Sequence, residues 1–537
     1  METILLTDGY KLDHKRQYPE GTEYVYSNWT PRSCKFYPEA TDGVVVFGIQ
    51  YLIQKYLIDE FNNKFFNKPK EVVVSAFKRR VDAFLGPNQV GTEHIEQLHD
   101  LGYLPIEIKA LPEGTMCPIR VPCMTIINTK PEFFWITNYL ETLISTVLWL
   151  PMTSATTARL FKKRLIEHLK TTGIELSNTD IGFLCHDFSM RGMAGVEAAV
   201  LSGLGHLTSF NGSETIPTNE AAEIYYGMDA QNDLISSTVP ATEHSVMCAG
   251  GIDDEFETFK RLITEVYPEG FVSIVSDTWD FWKVITDYMP RLKDTIMKRN
   301  GRVVIRPDSG DPVDIIAGLD PKKVVFYNGK YYYFPNFDTA QGEDEASKML
   351  RRSVFSEKYR RELDKYRVTE AQVKGAYECL LDTFGYTIKS KGFKVMDSHI
   401  GMIYGDSITL ERQNEIYNRL ESKGIAATNL VLGIGSYTYQ YRTRDSLGFA
   451  IKATWCQINN EPHEIFKQPK TDSGMKNSLK GLLYVYKDKD GKYAVKDQTT
   501  KEEEECSCLT TVFKDGCFKR YTTLTQIRNN INKSLFI

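Results

Sequence analysis

The 537-residue chain is short of the features that mark specialised protein classes. Its ten cysteines, spread from Cys34 to Cys517, form no CxxC pair, and Cys506-Ser507-Cys508 lacks zinc-finger spacing. Its nine histidines include no HExxH. Reduced, mostly buried thiols in a cytoplasmic protein are therefore expected. An excess of one charge is also missing. The 65 basic and 70 acidic residues leave a net charge of −5, which calls for neither nucleic acid nor an anionic membrane. The N-terminal METILLTDGYKLDHK has no cationic segment followed by an apolar one, so no signal peptide is expected. The most apolar helical stretch, FFWITNYLETLISTVLWL (133–150), carries Asn138 and Glu141. It predicts a buried helix ending at Pro151, not a membrane span. No internal repeat is visible, and KEEEE (501–505) reads as a solvated loop.

What is present is an ordinary globular composition, 42% hydrophobic and 25% charged, in a chain long enough for two domains. Five short apolar runs each stop at a polar cluster: GFLCHDF (182–188), VSIVSD (272–277), RVVIRPDSG (302–310), HIGMIYGD (399–406) and NLVLGIGS (429–436). A strand buried on both faces reads in this way. Helical patterns at 190–206, 253–266, 278–298 and 409–423 lie between them, the last with Thr409 as N-cap and Gly424 as stop. The alternation predicts a parallel α/β barrel or sheet over about 151–448, with the polar clusters on one rim. Residues 1–130 mix short strands with a few helices. The tail, from about 450, turns to β, with DG hairpins in LLYVYKDKDGKYAVKD and TVFKDGCFKRYTT. A third hairpin, VVFYNGKYYYF (324–334), opens a long polar stretch that reads as an insertion on the scaffold.

The rim residues carry the chemistry. Arg306 and Asp308, separated by the stiff Pro307, suit phosphate and sugar hydroxyls, and equally a structural ion pair. Gly433, Gly435 and Ser436 form a turn in which backbone N–H groups can approach an anion, although a lone GxGS is weak evidence. Gly405-Asp406 ends the neighbouring strand. Glu243-His244 at a helix start offers a base, an anion contact or a phosphate acceptor, although alone it reads sooner as a capping cluster with a satisfied His. Phe188 can wall a slot for a flat heterocycle, with Arg191 close behind it and Glu214 after the run LTSF. Arg32, Arg442, Arg444, Lys452, Lys467, Lys470, Lys476 and Lys480 supply cations that suit a polyphosphate.

Eight motifs in order sharpen this picture: TDGYK (7–11), HDFSMRG (186–192), GSET (212–215), VPATEHS (239–245), SDTWD (276–280), IRPDSGDP (305–312), YGD (404–406) and TVFKDG (511–516). Together they resemble the nicotinamide phosphoribosyltransferases, type II phosphoribosyltransferases with the nicotinate-using enzymes as nearest relatives. The resemblance implies an incomplete parallel α/β barrel at 151–448, with an insertion at about 313–397. It implies a β-rich domain made of 1–150 plus 449–537. It also implies transfer of a phosphoribosyl group from phosphoribosyl pyrophosphate to nicotinamide, with Mg²⁺, coupled to ATP hydrolysis through a phosphohistidine in a homodimer with shared sites. Neither nucleic acid nor a membrane is an expected partner.

The same resemblance distributes roles. Phe188 and a partner Tyr10 would sandwich the pyridine ring. Arg191, His244 and Arg306 would face pyrophosphate. Arg306, Pro307, Asp308, Gly405 and Asp406 would hold the ribose, and Gly435, Ser436 and Arg444 the 5′-phosphate. Asp8, Arg32, Lys452, Lys467 and Lys476 would reach across the dimer. His244 would be phosphorylated, with Glu243 beside it, while Asp277 orients it or, with Asp308, serves the metal. Two departures stand out. Glu214 replaces the Asp of nicotinamide-using members, and Ser436-Tyr437 interrupts an otherwise all-glycine turn. A nicotinate-using enzyme and a non-catalytic binding protein on the same scaffold are the alternatives.

Overall fold

The computed structural model describes residues 2–405, 407–467 and 479–535. Asp406, Lys470 and Lys476 lie outside them. Six parallel strands form the centre: β1 (Cys185–Asp187), β2 (Gly212–Ser213), β3 (Gly270–Val275), β4 (Gly301–Arg306), β5 (Ile400–Tyr404) and β6 (Leu430–Ile434). Their spatial order is β2-β1-β6-β5-β4-β3. The strands alternate as a barrel requires. Cys185, Val303, Ile305, Leu430 and Leu432 point outward into a helical layer and are fully buried.

The edge strands are joined by the extended stretch 237–242. Ser237 donates its N–H to the Asn211 carbonyl at 2.8 Å, and Ser213 returns one to Ser237 at 3.4 Å. On the other side Ser273 donates to Pro240 at 2.8 Å, and Thr242 to Ser273 at 2.9 Å. The expected incomplete barrel is thereby closed by a segment too irregular to count as a strand.

Against this barrel lies an antiparallel seven-stranded sheet in which both chain ends interleave. Thr22–Thr30 pairs with Ala450–Ile458 on one side and with Met124–Asn128 on the other, and Ile106–Ala110 then pairs with Thr510–Lys514. The β-rich layer of N- and C-terminal segments is thus built on one shared sheet, with two two-stranded sheets beside it, Val44–Val45 with Met116–Cys117 and Leu482–Lys487 with Tyr493–Thr499. Within 313–397, the helices Pro312–Ala317 and Ala376–Phe384 pack into the main core. Between them a small module has its own core of Tyr332, Phe334, Ala346 and Leu363. Its hairpin turns at Asn328 and Gly329, both at positive φ, as an NG turn requires.

Two local expectations are corrected. The apolar helix does not end at Pro151 but runs through it, from Glu141 to Thr172. An internal proline loses one backbone bond and costs about 3 kcal/mol. Here the helix is buried along most of its length, and the apolar burial outweighs that cost. KEEEE is not a solvated loop. Thr500 and Glu503 form a reciprocal capping box, and Lys501–Glu505 is a single helical turn. Glu504 is buried and paired with Lys109 at 2.6 Å.

The two layers meet at Gln50, whose side-chain N–H donates to the Tyr225 carbonyl of the barrel domain at 2.5 Å. The Gln50 backbone N–H donates to the Glu113 carboxyl at 2.8 Å, and its side-chain oxygen accepts from Thr522 N–H at 2.8 Å. Burial pushes the Glu113 carboxyl up to about 7. A carboxyl raised in the folded chain contributes stability at low pH that is lost as pH rises from the unfolded value through about 7. Glu113→Gln is therefore expected to raise the thermal midpoint at about pH 8, by the equivalent of at most about 3 kcal/mol, and to gain little at about pH 5. Parallel pH–stability curves for the two proteins would contradict this.

Candidate active site

The inward positions at the C-terminal ends of the strands converge on one cavity. On β1, His186 points inward and Phe188 follows, its N–H bonded to the Ile434 carbonyl at 3.0 Å. The two rings lie 4.7 Å apart between centroids at 34°. Opposite, Glu214 leaves β2 with its N–H bonded to the Asp187 carbonyl at 2.9 Å. His186 Nε2 donates to Glu214 Oε1 at 3.1 Å, and the Thr238 hydroxyl donates to the same oxygen. The His186 bond, helped by Thr238 and the nearby Arg306, holds the Glu214 carboxyl below the ordinary range although half-burial opposes this. A flat ring against Phe188 would meet a fixed negative charge.

A second group comes from β3 and β4. Arg306 ends β4 and donates from Nη2 to the Thr242 carbonyl at 2.6 Å, with Nε 3.6 Å from Asp308 Oδ2. Asp277 follows β3 and is 5% exposed. Its Oδ2 accepts from the Asp308 N–H at 3.0 Å, and its Oδ1 faces His244 Nε2 at 3.2 Å. His244 itself is half exposed and begins the helix His244–Cys248, with Glu243 as N-cap. Both Asp277 oxygens are thus engaged, which suits orientation of His244 and of the Arg306–Asp308 turn. Asp308 keeps a 32% exposed side chain toward the rim.

The glycine-rich ends of β5 and β6 set the floor. A Cβ at Gly433 would lie 2.6 Å from Gly405 Cα and 2.7 Å from Phe188 Cδ2, so no side chain fits between them. Gly435 starts the helix Ser436–Tyr439 without a side-chain cap, leaving its N-terminus open to an anion. Ser436 lies against Gly192, next to the exposed Arg191. The ring of Tyr437 lies at the surface, stacked on Tyr441 at 5.3 Å.

From this rim a cavity of about 1020 Å³ runs through the barrel to Arg302, Lys389 and Ser398 at its other end. Inward positions that fill other barrels are small here: Ala241, Ser273 and Gly401. The rim groups that sequence reasoning did not single out are His186, Thr238 and Thr242.

The remaining cations gather elsewhere, on the antiparallel sheet. Arg32 donates to the Gly448 carbonyl at 2.9 Å, and burial and then Arg444 lower its pKa. Burial also lowers Lys452, with Arg32, Lys467 and Lys11 adding repulsion and Glu141 opposing it. Lys11 pairs with Glu141, Asp8 accepts from Thr142 at 2.8 Å, and Tyr10 is 61% exposed. Asp8, Tyr10, Arg32, Arg444, Lys452 and Lys467 therefore share a surface where positive charge is crowded. Among the described residues no group of three or more His, Cys, Asp or Glu is arranged to hold a metal. Among them, too, no helix is long and apolar enough to cross a membrane.

Comparison with known proteins gives a consistent result. Residues 183–516 match the nicotinate phosphoribosyltransferase (NAPRTase) family, and residues 2–108 match the nicotinamide phosphoribosyltransferase N-terminal domain. The chain is 46% identical to a nicotinamide phosphoribosyltransferase of Acinetobacter baylyi over 537 residues, 98% of this chain and 96% of that protein. It is 31% identical to one of Mycoplasma pneumoniae over 510 residues, covering 90% and 97%. Among solved structures, a nicotinate-nucleotide pyrophosphorylase from Pyrococcus furiosus superimposes with a TM-score of 0.51 at 13% identity, covering 99% of this chain and 95% of that one, a likeness of fold. The chain belongs to the nicotinate phosphoribosyltransferase family and, within it, to the nicotinamide phosphoribosyltransferases.

Because Gly433 is wedged between Gly405 and Phe188, Gly433→Ala should displace one of them and lower catalytic efficiency by about tenfold or more. Steady-state kinetics beside a thermal melt checks this. Unchanged kinetics would mean that the strand ends yield without consequence.

Proposed function

We propose that the rim transfers a phosphoribosyl group from phosphoribosyl pyrophosphate to nicotinamide, giving nicotinamide mononucleotide and pyrophosphate in NAD salvage. The observation that carries this is the Glu214 carboxylate, held charged by His186 and Thr238 beside the Phe188 ring. A carboxylate accepts from the N–H of a carboxamide and repels the carboxylate of nicotinate, so the charge selects by exclusion.

Breaking the bond from ribose C1 to pyrophosphate leaves an electron-poor sugar and a strongly anionic leaving group. Arg306, Arg191 and the open helix start at Gly435 and Ser436 suit that charge and the 5′-phosphate. Asp308 and Gly405, with Asp406, would take the ribose hydroxyls. The ring nitrogen of nicotinamide carries a free lone pair, so stacking on Phe188 supplies alignment and no base is required. Mg²⁺ arriving with the substrate would neutralise pyrophosphate charge, with Asp277 and the partly exposed Asp308 as its candidate ligands.

The crowded cations and the exposed Tyr10 support a homodimer with shared sites. Tyr10, Asp8, Arg32, Lys452 and Lys467 of one copy, with Lys476, would complete the rim of the other, where anionic substrate relieves their repulsion. Arg444, at the edge of the same cluster, would hold the 5′-phosphate. His244, half exposed and oriented by Asp277, supports coupling to ATP through a phosphohistidine, with Glu243 as its neighbour.

Purified protein given phosphoribosyl pyrophosphate, Mg²⁺, and equal nicotinamide and nicotinate, with and without ATP, should yield mainly nicotinamide mononucleotide. Mainly nicotinate mononucleotide would assign the sister activity, and no product would favour a binding role. His244→Ala should abolish the ATP stimulation; intact stimulation would exclude the phosphohistidine. Since Glu214 is depressed, its charge persists above the ordinary carboxylate range and is lost only as pH falls through its lowered value. The nicotinamide-to-nicotinate ratio of kcat/KM should therefore stay level from about pH 8 to about pH 5.5. A fall within that window would place the selecting charge elsewhere.

A further inference from the structure

Behind the ring wall lies a carboxylate that touches none of the reacting atoms. Asp187, between the inward-facing His186 and Phe188 on β1, is fully buried. Its Oδ1 accepts from the Ser189 N–H at 2.9 Å. Its Oδ2 accepts from the Thr215 hydroxyl at 2.8 Å and the Ser213 hydroxyl at 3.3 Å. The Ser213 hydroxyl in turn accepts from the Thr215 N–H at 3.0 Å, and Glu214 N–H binds the Asp187 carbonyl. One residue therefore pins all three positions 213–215 and the residue that follows Phe188.

A second buried group braces the same turn from its other side. His206 is fully buried, and burial lowers it to about 4, so the neutral ring has one donor and one acceptor. Nε2 donates to the Gly212 carbonyl at 3.0 Å, and Nδ1 accepts from the Tyr439 hydroxyl at 2.7 Å. Tyr439 belongs to the helix that begins at the Ser436 turn. The 212–215 turn is thus held between the ring wall and the anion turn by buried polar groups that are satisfied from both sides.

This matters because Glu214 is a flexible side chain. A glutamate has three rotatable torsions, and it offers a carboxylate at a defined point only if its backbone is fixed. We propose that Asp187 is a positioning residue for base selectivity: it locks the 213–215 turn so that the Glu214 carboxylate meets the carboxamide of the incoming base. The proposal rests on the nicotinamide-selective reading of the site. Loss of the Asp187 carboxylate costs discrimination between amide and acid, not the transfer step, because its bonds run to Ser189, Ser213 and Thr215 around the Glu214 turn.

The test is steady-state kinetics on the full-length protein, varying nicotinamide or nicotinate at saturating phosphoribosyl pyrophosphate, for wild type, Asp187→Asn and Thr215→Val. Asn keeps the shape and one acceptor but turns the other oxygen into a donor facing two hydroxyls. Asp187→Asn is expected to raise the nicotinamide KM about tenfold, with kcat within about threefold and the KM of phosphoribosyl pyrophosphate unchanged. The nicotinamide-to-nicotinate ratio of kcat/KM should fall about tenfold, and about threefold in Thr215→Val. Equal losses for both bases, or a loss confined to kcat, would overturn the proposal. If Asp187→Asn does not fold, Thr215→Val decides alone, since it leaves the Asp187–Ser189 bond in place. Wild-type preference for nicotinate would sink the functional reading, and this proposal with it, whereas amide preference unchanged in both variants would sink this proposal only.

Discussion

Closure of the barrel by the 237–242 segment is the constraint on which the site depends. A parallel sheet left open between β2 and β3 would present two edges of unpaired backbone groups. Thr242 answers this with three bonds: its N–H to Ser273, its hydroxyl accepting from Val275 N–H at 2.9 Å, and its carbonyl accepting from Arg306 at 2.6 Å. The segment that completes the wall also carries Thr238 to Glu214, and delivers Glu243 and His244 immediately afterwards. Thr238 beside Glu214, the carbonyl that holds Arg306, and His244 are therefore all placed by one segment.

The interior follows from the same economy of space. Barrels of this kind normally fill their centre with layers of branched side chains. Here Ala241, Ser273 and Gly401 leave a channel, and Gly433 lets Phe188 and Gly405 touch. The fixed charges then sort by location. The carboxyl groups of Glu214 and Asp277 are tied by hydrogen bonds within the barrel. Cations that suit a polyphosphate, Arg32 and Lys452, are crowded on the antiparallel sheet, where mutual repulsion and burial prime them for an anionic ligand.

Much of this was legible in the sequence, and the reasons are local. Strands buried on both faces write themselves as continuous apolar runs, which is how β3 to β6 were visible. Asn328-Gly329 and Asp515-Gly516 announced hairpins because they accept positive φ, and Thr409 announced a helix start by accepting from the Arg412 N–H. What was hidden is what depends on distant partners. TVPATEH has neither apolar continuity nor periodicity, so its role as closing stave arises only from the edges of β2 and β3. Pro151 looked like a stop, because the burial that carries the helix past it comes from other parts of the chain. Glu504 looked solvated, because Lys109 lies almost four hundred residues away in sequence. The site followed the same division. Arg306, Asp308 and the Gly435 turn could be read from strand ends, whereas Thr238 and Thr242 became partners of Glu214 and Arg306 only through closure, and His186 reached Glu214 only through the pairing of β1 with β2.

The most direct measurement is the discrimination between nicotinamide and nicotinate by Glu214→Gln beside the wild type, with both bases in one mixture. Glutamine keeps the length and one acceptor but removes the charge. The account predicts that the variant still transfers the phosphoribosyl group while losing most of its rejection of nicotinate, because repulsion and not fit excludes the acid. A variant that rejects nicotinate as strongly as the wild type would show that the charge held by His186 and Thr238 is not what selects the base.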